Sequence, residues 1–224
     1  MTINLERLVY LHMNYQKLTH LLLIICAALS TNLKAQETSE NFYDSGQLKS
    51  FGVIDEEGKS GKWSYFYPDG KINAIENYID NELSGKCLSY YRNGQMKSEE
   101  NWKTGLLEDS AFYYYDTGQL KRKGIYKSGL YSGIWLSYHE NKKLKSNGSY
   151  VSGLPDGKWE VYTEDGVLFQ KGNYKEGKED GYWEFFDGDG QLNYSGNYKN
   201  GEEIGEWFEY SKKGKKKLYF DYEK

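Results

Sequence analysis

Glycine, or a residue in its place, stands at Gly61, Gly85, Asp109, Gly133, Gly157, Gly181 and Gly205, an unbroken spacing of 24 residues. A period this strict requires every tile to fold alike and to offer its neighbour the same surface, so the chain is restricted to stacked, quasi-one-dimensional architectures. The third place of each tile holds Trp63, Cys87, Ala111, Trp135, Trp159, Trp183 and Trp207. The sixth holds Phe66, Tyr90, Tyr114, Tyr138, Tyr162, Phe186 and Tyr210, and the eighteenth Tyr78, Trp102, Tyr126, Tyr150, Tyr174, Tyr198 and Tyr222. Glycine returns at the tenth place, except at Lys142, and a degenerate earlier copy survives in Phe42, Gly46, Leu48 and Gly52.

Within a tile, Lys158 to Tyr162 and Val167 to Tyr174 alternate as strands do, and Asp165-Gly166 between them signals a two-residue primed turn. A second turn at Glu176-Gly177 leads to the next hairpin. The fold expected is all-β, an elongated single-sheet antiparallel meander of about 14 strands, two per tile. Helix is opposed by the frequent glycines and by the aromatic alternation. A two-residue turn at Asp165-Gly166 sets Trp159 opposite Gly172 and Tyr174 opposite Gly157. Each ring then covers a glycine, which explains why strands tolerate glycine here. By the period the same holds for Trp135 with Gly148, for Trp183 with Gly196, and for Tyr150 and Tyr198, and Trp207 takes the same structural place in the last tile. This ring face also carries Val161, Leu168 and Gln170; Lys158, Glu160, Tyr162, Phe169, Lys171 and Asn173 take the other.

The N-terminus departs from the period. Lys17 precedes an apolar run, Leu21 to Leu29, and the small Ala35 precedes Gln36, the layout of a secretory signal cleaved near residue 35, with Met13 as an alternative start. The run is too short for an ordinary transmembrane helix, leaving an uncleaved anchor as the second reading. Ile25 before Cys26 argues against a lipoprotein signal, which requires a small residue there. The domain plan is therefore a signal at 1–35, a degenerate cap at 36–60 and seven tiles at 61–224, with the product periplasmic or extracellular. Processing leaves 26 basic and 32 acidic residues, a net charge of −6, and no basic face for nucleic acid. Cys87 is then the sole cysteine, so no intrachain disulfide forms.

Catalytic chemistry finds little material. Histidine occurs at His12, His20 and His139, too few for a zinc cluster or a triad in the mature chain, and His139 reads as a solvated turn residue. Cys87 stands where other tiles have tryptophan and reads as an apolar filler, without a histidine to activate it. Asp187-Gly188-Asp189-Gly190 lacks the downstream bidentate glutamate of a calcium loop and fits a hairpin turn. Asn147-Gly148-Ser149 matches a glycosylation sequon by chance. No catalytic, cofactor or metal residue is expected, and the chain reads as a non-enzyme.

The units "GNYKEGKEDGYWEFFDGDG" (Gly172 to Gly190) and "GNYKNGEEIGEWFEYSKKG" (Gly196 to Gly214) resemble MORN repeats in their bacterial variant, Gly-x-Tyr-x-x-Gly-x-x-x-Gly-x-Trp. The resemblance spans about Phe42 to Lys224 and weakens at Cys87, Ala111 and Lys142. It implies stacked hairpins serving as an interaction or membrane-associated scaffold, and some bacterial proteins with this repeat are labelled antitoxins. Two functions follow as expectations. One is a non-catalytic exported scaffold presenting a sheet face to a protein or cell-envelope partner. The other is a polysaccharide, cell-wall or lipid-binding module, since "KWSYFYPDGK" (Lys62 to Lys71) resembles the Trp-Tyr-rich repeats of surface binding modules. Tyr90, Tyr114, Tyr138, Tyr162, Phe186 and Tyr210, on the more polar face, are the candidate binding residues. The run Lys212-Lys213-Gly214-Lys215-Lys216-Lys217 reads as a solubilising sheet edge.

Overall fold

A computed structural model describes residues 36–223 of the chain. Two units separate, Met1–Gln36 and Glu37–Lys224, and the readings placed on residues 1–35 lie outside the described residues. The strands from Glu37–Phe42 to Lys216–Asp221 form one antiparallel sheet in which each strand pairs with its neighbours in the chain. Among the described residues there are 18 strands and no helix. The excess over two per tile has two sources. The degenerate copy supplies a true hairpin, Glu37–Phe42 with Leu48–Asp55. Two further strands are broken at Ser84 and Asp180, just before Gly85 and Gly181, splitting off Glu82–Leu83 and Lys178–Glu179.

The turns differ in kind from the sequence expectation. Gly166 N donates to Thr163 O and Thr163 N donates to Val167 O, so the loop holds three residues and ends on Gly166 at φ +81°. This is a type I turn closed by a left-handed glycine, the common three-residue hairpin connection. The primed turn lies instead at Glu176-Gly177, where both central residues have positive φ (+51° and +85°) and Lys175 pairs with Lys178. Thr104-Gly105, Ser128-Gly129, Ser152-Gly153 and Asn200-Gly201 repeat it.

The expected pairing nevertheless holds over most of the hairpin. Gly157 faces Tyr174 and Trp159 faces Gly172, because a bulge at Phe169 adds the residue that the odd loop would otherwise offset. Beyond the bulge Tyr162 pairs with Leu168, which moves Leu168 from the ring face to the face of Tyr162.

Ring-over-glycine packing is present, but with a different partner. A Cβ on Gly172 would fall 2.1 Å from the ring of Trp183, not of Trp159, and one on Gly148 would fall 2.1 Å from Trp159. Gly52 lies under Trp63, Gly124 under Trp135 and Gly196 under Trp207. Every such glycine is thus covered by the tryptophan of the following tile. The indole N–H of Trp63, Trp135 and Trp183 donates to the carbonyl just past the covered glycine, at Val53, Ile125 and Asn173. Nor does Tyr174 cover Gly157. That glycine has φ +95° at a bulge between tiles, where Gly148 pairs with Trp159 but Tyr150 with Pro155, and Asp109 adopts the same conformation at φ +68° in its own tile. The first-place glycines serve backbone geometry, while the sixteenth-place glycines make room for rings.

Candidate functional site

Among the described residues the sheet has no second layer, so its core is a seam of side chains lying side by side on one face. Trp183 is 1% exposed and Trp63 2%, while Trp159 is only half-buried. Tyr174 stands between Trp159 and Trp183 with ring centroids 5.3 and 5.2 Å away, both near edge-on. Tyr150 meets Trp159 in the same way, and Tyr198 meets both Trp183 and Trp207. These geometries suit the aromatic quadrupole and link each tile to the next. Burial and the neighbouring Glu179 carboxylate, to which its hydroxyl donates, push the Tyr174 phenol up to about 12. The tyrosines therefore stay neutral and hold the seam by shape.

The seam is interrupted at Cys87 and Ala111, where the covered glycine is also missing. Glu76 lies beside Cys87, and Glu100 is paired with both Cys87 and Ala111. A glutamate Cβ occupies the space the ring needs, so the small third-place residue and the large sixteenth-place residue exchange volumes. Tyr78 donates to Glu76 Oε2 at 2.6 Å and Tyr113 hydrogen-bonds Glu100, so both carboxylates are held within the seam. Burial raises the Cys87 thiol above its ordinary value, and Glu76 and Glu100 raise it further. A reactive cysteine needs the opposite shift, so this thiol is a poor nucleophile. Among the described residues no group of three His, Cys, Asp or Glu side chains is placed to hold a metal.

The candidate residues Tyr90, Tyr114, Tyr138, Tyr162, Phe186 and Tyr210 all fall on the other face and are half-buried, the first five next to the bulges and Tyr210 in the hairpin whose bulge lies between Trp207 and Phe208. Burial, then a hydrogen bond from its hydroxyl to Glu160 Oε2, raises the Tyr162 phenol. The Tyr210 hydroxyl lies 3.0 Å from Ser195 Oγ, and Lys171, which bridges Glu184 at 2.7 Å, stands 5.6 Å from the Phe186 ring.

A column one place further on went unnoticed in the sequence. Tyr43, Tyr67, Tyr91 and Tyr115 each donate to a carbonyl 23 residues ahead, at Phe66, Tyr90, Tyr114 and Tyr138, with distances of 2.7 to 3.0 Å. His139 continues this ladder: its Nε2 lies 2.9 Å from Tyr162 O, and since a carbonyl only accepts, Nε2 carries the proton. The expectation of a solvated turn residue is corrected, for His139 is half-buried and ties one tile to the next. The signal was its alignment with the tyrosines at the seventh place. His139→Phe should lower stability by about 1 kcal/mol, whereas His139→Tyr should retain it; urea unfolding of the two variants gives the comparison.

The second unexpected feature is apolar. Ile125, Ile134, Val151, Leu130 and Leu154 alternate with the ring-seam residues Tyr126, Trp135, Tyr150 and Tyr131, so they gather on the opposite face, where each is about half exposed or more.

These features define a single-layer hairpin-repeat protein whose tiles are stitched by rings on one face and by hydrogen bonds at the turns. The family model described as "MORN repeat variant" matches residues 59–80, 83–104, 110–128, 131–152, 155–176 and 179–200, and the chain belongs to that family. No curated protein matches it. Among solved structures, TcdB2-TccC3 aligns at 13% identity and TM-score 0.18 over 79% of this chain, which spans 14% of the length of that one. A Bacteroides fragilis NCTC 9343 protein with unknown function aligns at 11% identity and TM-score 0.12, over 86% of this chain and 94% of that one. Neither superposition is close enough to bear on function.

Proposed function

We propose that the chain is a non-catalytic, exported repeat scaffold that binds a protein or cell-envelope partner through the sheet face opposite the ring seam. The observation that carries this reading is the cluster of Ile125, Ile134, Val151, Leu130 and Leu154, exposed on a face that otherwise bears Lys158, Glu160 and Lys171. A contiguous apolar patch rimmed by charge suits a macromolecular contact. Tyr138 and Tyr162 share that face and extend it toward the three-residue turns. Sugar stacking is less favoured on the seam, because each third-place tryptophan there lays one ring face on a glycine, and Trp159 and Trp183 are edged by Tyr174 as well.

Ile134→Glu with Val151→Glu should abolish capture of a partner from the envelope fraction of the source cells while leaving the melting temperature unchanged. Undiminished capture by this variant would exclude the face. Titration of intrinsic tryptophan fluorescence with peptidoglycan, polysaccharide and liposomes should show no saturable change. A saturable response would replace the scaffold with a sugar or lipid module.

A further inference from the structure

We infer that the two outer strands of the sheet are complementary and that a second copy of this chain adds head-to-tail, Lys216–Asp221 of one copy against Glu37–Phe42 of the next. Among the described residues, Glu37–Phe42 pairs only with Leu48–Asp55, and Lys216–Asp221 only with Glu202–Tyr210. Each therefore turns one row of backbone donors and acceptors outward, the usual template for strand addition.

Four properties of these edges select a second copy as the occupant. The first is direction. With each broken strand counted once, sixteen strands alternate along the described meander, so the last runs opposite to the first. A following first strand therefore meets it antiparallel, as every pair in the sheet already does. The second is charge. The first hairpin carries Glu37, Glu40, Asp44 and Asp55 against the single base Lys49, whereas the last turn and strand carry Lys212, Lys213, Lys215, Lys216 and Lys217 against the single acid Asp221. The third is volume. In the 24-residue frame Phe220 occupies the glycine place and Ser39 the tryptophan place, so head-to-tail addition sets Ser39 opposite Phe220 as Trp159 is set opposite Gly148. The large and small partners are exchanged, much as they are at Glu100 and Ala111. Phe220 is 52% exposed at this edge and Phe42 55% exposed at the other.

The fourth is a lysine contact that recurs between tiles. Lys71 Nζ and Lys143 Nζ, at the eleventh place, donate to Arg92 O and Asp165 O in the turn of the next tile, at 3.0 and 2.7 Å. Lys215 has the eleventh place in the last tile, and the turn within its reach is Asp44-Ser45 of the second copy. Because the joined surfaces are different, the contact is heterologous and propagates rather than closing at a dimer. The lysines that read from sequence as a solubilising end are, in this arrangement, the half of a charge pair that fixes the order of addition.

Sedimentation velocity of the full chain should show oligomers that lengthen with concentration and shorten with added salt. A copy carrying Glu40→Lys and Asp44→Lys, and another carrying Lys215→Glu and Lys217→Glu, should each associate about tenfold more weakly. Their equimolar mixture should recover the wild-type behaviour, since every junction again joins opposite charges. Unchanged far-ultraviolet circular dichroism in both variants establishes that folding is intact. A chain that stays monomeric at about 1 mM, where weak contacts of this kind are populated, would overturn the inference. So would association that both variants retain, which would place the contact on the apolar N-terminal run or on a sheet face.

Discussion

Trp183→Ala should destabilise the protein by about 3–5 kcal/mol, the cost of removing a large buried ring that its surroundings do not refill. The side chain is 1% exposed, contacts Tyr174, Phe185 and Tyr198, and lies directly on Gly172. Gly172→Ala should also be costly, because the added methyl would fall 2.1 Å from the Trp183 ring. In the Trp183→Ala background the same glycine substitution should cost almost nothing, since the obstructing ring is gone. Trp159→Ala should give Gly172→Ala no such relief, although Trp159 is the hairpin partner of Gly172. Urea unfolding of the single and double variants tests both cycles. Relief by Trp159→Ala rather than by Trp183→Ala would show that rings cover glycines within hairpins and that the stitching between tiles is wrong.

The interruption at Ala111 gives the second large effect. Ala111 is fully buried in a cluster with Tyr126 and Trp135, and Glu100 lies across from it. Ala111→Trp, which restores the residue typical of the third place, should destabilise by about 1–3 kcal/mol through overpacking. Adding Glu100→Gly should recover most of that loss by opening a floor for the ring, even though glycine alone is unfavourable in a strand. The order of melting temperatures should therefore be wild type above the double variant, and the double variant above Ala111→Trp. If Glu100→Gly merely adds a further loss, the two positions do not share one volume.

Much of this relation was legible in the sequence. Pairing within a hairpin joins the third place to the sixteenth place 13 residues later, and that relation fails at Trp63 with Glu76 and at Ala111 with Gly124. Pairing between tiles joins the sixteenth place to the third place 11 residues later. That relation holds throughout, as Gly52 with Trp63, Glu76 with Cys87, Glu100 with Ala111, and Gly124 with Trp135. Volume exchange along the diagonal is thus present in the sequence, but only the tertiary structure shows that it marks the covering ring. The tyrosine ladder ending at His139 was equally present as a column. Its function was hidden because the acceptors are main-chain carbonyls, which no side-chain pattern records.

The candidate face was less accessible. Alternation assigned Tyr162 to it correctly, but Leu168 needed the bulge, and a bulge at Phe169 combined with a three-residue loop leaves the outer register the same as a two-residue turn without one. The apolar cluster was scattered over four strands as Ile125, Leu130 with Ile134, Val151, and Leu154. Only the pairing of those strands makes it a patch.

The sequence by itself determined the repeat, the hairpin in each tile and the all-β meander, because a strict 24-residue period repeats every local preference and local preferences suffice to choose strands and turns. The tertiary structure decided which neighbour each ring covers and which turn is primed. A strand inside a sheet has two neighbours, and a glycine there offers its bare face to both. The bulge at the first-place residue breaks the symmetry between those neighbours, and one tryptophan lies over that glycine while the other is left beside it.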